Sequence, residues 1–446
     1  MTIFSLRSLT LRKLTSPWWT LTAVSLGGMM VALDGTALTI AGPQIGRSVH
    51  ASFGELQWMA NAYLLVLAVA LFPGGRIADR FGRRAAFTVG VISFGLASLL
   101  LATATTSAEL IALRSVQGLC GALLQPAALA LLRAAFDGKR LDAAIGLWGG
   151  ASAAAIAAGP VIAGLIVQHF GWPAVFLLNV PIAVVTVVIT VLGVGESKAA
   201  GVMARPTELL RAPGVALGAV LTGLSYFSLF GLLFLLTLYL QNLRGLDPVS
   251  TGRWLLPITA VVVLSAPAGG LLTSRWGPRW PTAGGLALVC VGVLGFLRVG
   301  TNTAQSALLP AAVVVGVGTG IALVATTQII VANAPSDMAG LGAALQQVAT
   351  QLGGAAGIVV LGEVTSWRVG QVLPPGTDVA VAAQGRGPGA FAFVPGFHAA
   401  LVAGAVVIAI GALVALRVRT SATADAPAAR PPAGPSELDG ERGHQQ

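Results

Sequence analysis

Apolar runs long enough to cross a bilayer recur twelve times along this chain of 446 residues. A span needs about 20 apolar residues to cover roughly 30 Å of hydrocarbon. On that rule helices are expected over 18–41, 55–76, 85–106, 108–133, 142–168, 172–195, 214–240, 253–274, 281–299, 306–332, 338–364 and 395–417. Composition agrees, since 55% of residues are hydrophobic and only 9% charged, against roughly 25% charged in soluble domains. The expected fold class is an all-α membrane protein of twelve transmembrane helices.

An even number of spans returns both termini to one side. Of the 26 Lys and Arg, nineteen fall in segments on the N-terminal side, six on the opposite side, and Arg114 lies inside a span. Because Lys and Arg are retained on the cytoplasmic side, the chain is expected to be a multi-pass protein of the cytoplasmic membrane with both termini cytoplasmic. A net charge of +10 raises the question of nucleic acid. A nucleic-acid binder gathers its basic residues on one face or stripe, whereas these sit in short turns between apolar spans, so no such partner is expected. The basic N-terminus enters a full-length span with no small-residue cleavage site after it, which reads as an uncleaved first helix. Cys120 and Cys290 fall inside spans and read as unpaired core thiols.

The segment Gly74 to Arg84 crowds Arg76, Asp79, Arg80, Arg83 and Arg84 between two apolar runs, and it is echoed near residue 270. Gly75 and Gly82 match Gly270 and Gly277 in spacing, and Arg80, Phe81 and Arg84 fall opposite Arg275, Trp276 and Arg279; Asp79 is matched only by Ser274. The repeat implies a duplicated chain. The expected units are an N-terminal six-helix bundle over 1–195, a cytoplasmic linker over 196–213, a C-terminal six-helix bundle over 214–418 and a disordered cytoplasmic tail over 419–446. Duplicated halves around a midplane cavity are a common transporter design. The Gly- and Pro-rich stretch 366–395 is expected to be irregular.

Three ionisable side chains sit inside expected spans, namely Asp34, Arg114 and Glu363. Intramembrane charges are costly and are functional candidates by default. At 1.5 Å per residue, Asp34 lies about 6 Å below one surface of the hydrocarbon and Arg114, on a helix running the other way, about 9 Å below the same surface. The two are expected to face each other or a shared wet pocket, with Asp34 accepting a proton or a cationic substrate. An adjacent arginine favours an ionised carboxylate and burial opposes it. A purely structural ion pair is the alternative. Glu363, near the end of its span, reads as a snorkelling, solvated group.

Arg114, Gln117, Gly118 and Gly121 share one helix face, which suits a cavity wall with a close neighbour. Small residues repeat in the fifth helix and lead into Gly159, Pro160 and Gly164, where small-xxx-small spacing allows close backbone approach and proline permits a bend. Asn61, Tyr63, Gln117, Gln125, Trp148, Tyr226, Phe230, Gln241, Gln328 and Gln347 could line an amphipathic cavity, or serve packing and interfacial roles. HExxH, Walker-type and Cys/His signatures are absent. Neither an enzyme nor a metal or cofactor site is expected.

The run Gly75-x-Ile77-Ala78-Asp79-Arg80-Phe81-Gly82-Arg83-Arg84 resembles the signature between helices 2 and 3 of the major facilitator superfamily. Arg114-x-x-Gln117-Gly118 resembles that family's helix 4 motif, and Gly159-Pro160-x-x-Ala163-Gly164 its antiporter motif in helix 5. Leu33-Asp34-Gly35-Thr36 through Ala41-Gly42-Pro43 resembles the drug/proton antiporters usually built with fourteen helices, as do Gln57-Trp58 with Tyr63, Asn179-Val180-Pro181, and Tyr239-Leu240-Gln241 through Gly245, Gly252 and Pro257. The chain departs from that group at Thr39, Pro173 and Ala163, and lacks two helices. The resemblance implies a major facilitator fold and a proton-coupled exporter of amphipathic drugs or antibiotics. Its partners would be a small molecule, protons and the lipid bilayer, and a monomer is expected. It further implies proton coupling at Asp34 and Arg114, a conformational latch formed by Gly75, Asp79, Arg80, Gly82 and Arg83 that closes on helix 11 near Gly340, and a gating bend at Gly159, Pro160 and Gly164. Export of an endogenous metabolite such as an amino acid or sugar is the rival function, and a transport-dead membrane sensor or scaffold the reading from another class.

Overall fold

A computed structural model describes residues 16–197, 209, 212–301, 303–334 and 338–418. Among them are twelve helices long and apolar enough to cross a membrane: α1 (Pro17–Ser48), α2 (Phe53–Phe81), α3 (Arg83–Leu101), α4 (Ser107–Ala135), α5 (Gly138–Phe170), α6 (Pro173–Gly193), α7 (Gly214–Leu243), α8 (Pro248–Trp276), α9 (Arg279–Arg298), α10 (Gln305–Asn333), α11 (Leu341–Val372) and α12 (Ala390–Ala415). The number and order match the sequence reading. Most of the expected linker and all of the expected tail lie outside the described residues.

Local chemistry sets the helix starts. Ser52 and Thr106 form reciprocal capping boxes with Glu55 and Glu109, so α2 and α4 begin where the carboxylate returns to the cap N–H. Asp247 caps α8 through Ser250, with Pro248 at its first position. Pro181 has no N–H to donate one turn back, and α6 is accordingly interrupted at Leu178 between its segments Pro173–Leu177 and Asn179–Gly193.

Several boundaries differ from expectation. The arginine-rich segment is not a loop, because α2 continues to Phe81, α3 starts at Arg83, and only Gly82 stands between them at φ +116°. Polar residues ended the apolar run but not the helix. Likewise α11 runs to Val372 instead of ending at 364, and a helical turn at Val379–Ala382 orders part of the stretch expected to be irregular. Glu363 is therefore inside α11, where it is exposed.

The positive φ at Gly82 suits glycine, and glycine offers no side-chain cap for α3. Glu196 supplies one from the end of α6, its carboxylate accepting from the N–H groups of Arg84 (3.0 Å) and Ala85 (3.2 Å). Arg84 returns the contact by donating to the Thr190 and Val191 carbonyls at the C-terminal end of α6. Glu196→Ala should lower stability by about 1 kcal/mol, the usual effect of losing a cap, read as a lower unfolding temperature in detergent; an unchanged temperature would show the cap to be idle.

The helices form two six-helix bundles. Within the first six, the packed pairs include α2 with α4, α1 with α5, α3 with α4 and α3 with α6, and each recurs six helices later as α8 with α10, α7 with α11, α9 with α10 and α9 with α12. The halves meet along two seams, α5 against α8 and α2 against α11. Leucines and valines cover the exterior, among them Val69, Leu264 and Leu271, the inverse of a water-soluble surface. Exposed tryptophans mark both rims, with Trp18, Trp276 and Trp280 toward the face carrying the chain ends and Trp58 and Trp367 toward the far face.

Candidate functional site

Asp34, in the middle of α1, and Arg114, in α4, lie against each other, and both are almost completely buried. Arg114 Nη1 donates to Asp34 Oδ2 and to Gln117 Oε1. The second carboxylate oxygen, Oδ1, accepts from Gln117 Nε2 at 3.0 Å and from Asn179 Nδ2 at 3.0 Å. Ser98 Oγ of α3 accepts from both amides, at 2.8 and 3.2 Å. Four helices thus converge on one carboxylate, and three donors satisfy its charge. Such a buried charge persists only when paired and fully hydrogen-bonded.

The break in α6 positions Asn179. With no Pro181 N–H to hold it, the helix restarts at Asn179, whose side chain reaches into the bundle. Asn179 entered the sequence reading only within a motif and Ser98 did not enter it at all, since a single serine on a mainly apolar face carries no signal until its neighbours are known. On its other side Arg114 lies over the Tyr63 ring, 4.3 Å from its centre, a cation–π arrangement.

Arg114 and Tyr63 also border a cavity between the two halves, walled by Leu38, Met59, Phe230 and Phe234. Its volume is about 40 Å³, whereas drug-sized pockets run from about 300 Å³. In this conformation it has room for a few waters but not for a drug-sized molecule.

Above the cavity, toward the far face, polar contacts tie the halves together. Gln241 Nε2 donates to the Ile40 carbonyl (2.8 Å), Arg47 Nη1 to Asn242 Oδ1 (3.0 Å), and Gln384 Nε2 to the Ala51 carbonyl (3.3 Å). Gln241 and Asn242 sit on a π-helical turn, Tyr239–Leu243, that ends α7; such turns often mark functional positions. The α5–α8 seam closes in the same region. A Cβ on Gly252 would overlap the Pro160 backbone, and one on Gly164 would stand 2.5 Å from the Pro248 carbonyl oxygen. Toward the opposite face the glycines of α5 and α8 stand in open space, with nothing from another element within 4 Å of where a Cβ on Gly146, Gly149, Gly150 or Gly270 would stand.

Other residues singled out in the sequence lie elsewhere. Gln117 belongs to the charge network, not to the cavity wall, and Gln241 to the far-face closure. Gln328 is exposed, while Gln125, Trp148, Tyr226 and Gln347 are half-buried, Tyr226 against Phe230 with ring centres 5.8 Å apart. Asn61 is buried with both amide atoms unpartnered among the described residues. Asp79 pairs with Arg83 one turn on at 3.1 Å, and Arg80 lies over the Phe81 ring. Gly75 faces Pro126 of α4. Gly159 packs on Thr36 of α1, and α5 passes through Pro160 as one continuous helix.

Residues 24–358 match the model of the Major Facilitator Superfamily. The chain is 37% identical over 417 residues to the tetracenomycin C resistance and export protein of Streptomyces glaucescens, covering 80% of this chain and 78% of the relative. It is 30% identical over 404 residues to the methyl viologen resistance protein SmvA of Salmonella typhimurium, covering 77% and 82%. Among solved structures, a bacterial homolog of the human lysosomal transporter Spinster, in an inward-facing and occupied conformation, aligns with a TM-score of 0.74 at 16% identity over 89% of this chain and 96% of that one.

Proposed function

Because this chain belongs to the major facilitator superfamily, we propose that it exports amphipathic drugs or antibiotics across the cytoplasmic membrane in exchange for protons, by alternating access of one site to the two faces. Relatives named for resistance and export support the drug-export part. The proton part rests on one observation, a carboxylate buried at mid-bundle whose every partner is a donor and whose arginine also borders the interface cavity.

Protonating Asp34 would leave Arg114 without a counter-charge in a dry site, an arrangement that costs several kcal/mol. Proton binding is thereby coupled to any conformation that rehydrates Arg114 or turns it toward the cavity. The closed far face and the open space around the glycines at the opposite ends of α5 and α8 support an inward-facing state, with the chain ends cytoplasmic. In the outward-facing state the Gln241, Asn242 and Gln384 contacts would break, and water would reach Asp34 from outside. Asp79, Arg80 and Arg83, with Gly75 and Gly82, would then hold the cytoplasmic ends of α2, α3 and α11 together, and Gly159, Pro160 and Gly164 would let α5 follow.

Everted vesicles test both parts. Energised vesicles containing the protein should accumulate an exported dye and lose it on adding a protonophore, and adding substrate should dissipate an imposed pH gradient. Accumulation indifferent to the protonophore would remove proton coupling from the proposal.

A further inference from the structure

Most carboxylates of the described residues are engaged elsewhere, and Asp137, Asp142 and Glu363, whose side chains make no hydrogen bond among those residues, are not in the lining of the interface cavity. Glu55, Glu109, Asp247 and Asp378 accept hydrogen bonds at the starts of their own helices. Asp79 pairs with Arg83, and Asp34 is covered by three donors. No carboxylate lines the interface cavity. Its charged side chain is Arg114, whose Nε and Nη1 are engaged and whose Nη2 donates to nothing among the described residues. The remaining wall is aromatic and aliphatic, with Tyr63, Phe230 and Phe234 prominent.

The far-face closure repeats the pattern. Arg47 is bonded to the Asn242 amide and Arg386 to the Gln384 amide at 3.4 Å, and neither forms an ion pair among the described residues. Their partners are joined to each other, Asn242 Nδ2 donating to the Gln384 carbonyl at 2.9 Å, so the two arginines belong to one closure. When the closure opens, both stand at the mouth through which an exported compound leaves.

We infer that this route selects uncharged and anionic aromatic amphipaths and rejects dications, with Arg114 offering a donor to a carbonyl or phenolate and Arg47 and Arg386 setting a positive mouth. The inference rests on the export reading above. A dication in a low-dielectric passage needs carboxylates to replace its hydration, and the lining of this cavity contains none. Arginines ringing a pore act as barriers to cations in the same way.

The test uses the full chain in vesicles with four aromatic probes: Nile red (uncharged), carboxyfluorescein (anionic), ethidium (one positive charge) and propidium (the same ring system with two). Nile red and carboxyfluorescein should move, and propidium should move at least tenfold more slowly than either. In the double variant Arg47→Glu, Arg386→Glu, the ratio of carboxyfluorescein to Nile red should fall at least fivefold and that of propidium to Nile red should rise. Using Nile red as the denominator removes losses from folding or gating. Propidium export matching that of Nile red would overturn the charge rule while leaving export intact, and unchanged ratios in the double variant would overturn the roles of Arg47 and Arg386. Movement of none of the four would overturn the export reading and this inference with it.

Discussion

Asp34→Asn should abolish proton-driven export, lowering the rate at least a hundredfold, while the protein still inserts. The substitution keeps the size of the side chain and removes its charge. Arg114 is then buried without a counter-ion, and breaking such a pair by one partner costs about 3–5 kcal/mol. Stability in detergent should therefore fall together with transport. The double variant Asp34→Asn, Arg114→Gln separates the two effects, since it removes both charges and leaves amides able to bond with Gln117 and Asn179. It should regain most of the stability and none of the coupled transport. If the double variant transports against a pH gradient, the pair is structural and the proton travels elsewhere.

Gly252→Val should stop transport by a different route. The α5–α8 seam brings backbone against backbone, and the atoms a side chain at 252 would meet are the carbonyl and Cα atoms of Pro160 and Val161, which cannot rotate away. Overpacking against backbone that cannot move aside sits at the upper end of the usual range, about 3 kcal/mol, and each 1.4 kcal/mol is a factor of ten in population. The closed far face would become about a hundredfold rarer relative to the open one. A cysteine placed at Asn242 should react with an impermeant thiol reagent from the far side much faster in this variant, with export correspondingly lost. Normal export by Gly252→Val would mean that closure does not depend on this seam.

Much of this was legible in the residues. Hydrophobic length alone gives twelve spans, because no shorter run satisfies the bilayer. The positions of Asp34 and Arg114 at one depth follow from helix rise and alternating direction, so their juxtaposition could be expected before any contact was seen. Boundaries were less accessible. The helices of Phe81 and Val372 outlast their apolar runs, since polar residues at the interface remain good helix formers once water and headgroups solvate their side chains. Among the cavity candidates, Tyr63 and Phe230 do line the interface, but Gln117 turns to the carboxylate and Gln241 to the far-face closure. Periodicity places a residue on a helix face without saying which helix that face meets.

The sequence by itself determined the class of molecule, the count of its helices and the presence of a costly carboxylate and arginine among them, because each follows from the energetics of placing apolar or charged groups in hydrocarbon. Only the tertiary structure decided which donors surround Asp34, that Ser98 and Asn179 are among them, and which face of the bundle is closed. Those outcomes depend on contacts between helices far apart in the chain, as with Asn179 reaching Asp34 across 145 positions and Gln241 reaching Ile40 across 201. Local propensity is silent about such pairings, and they are the ones that turn a buried charge into a device.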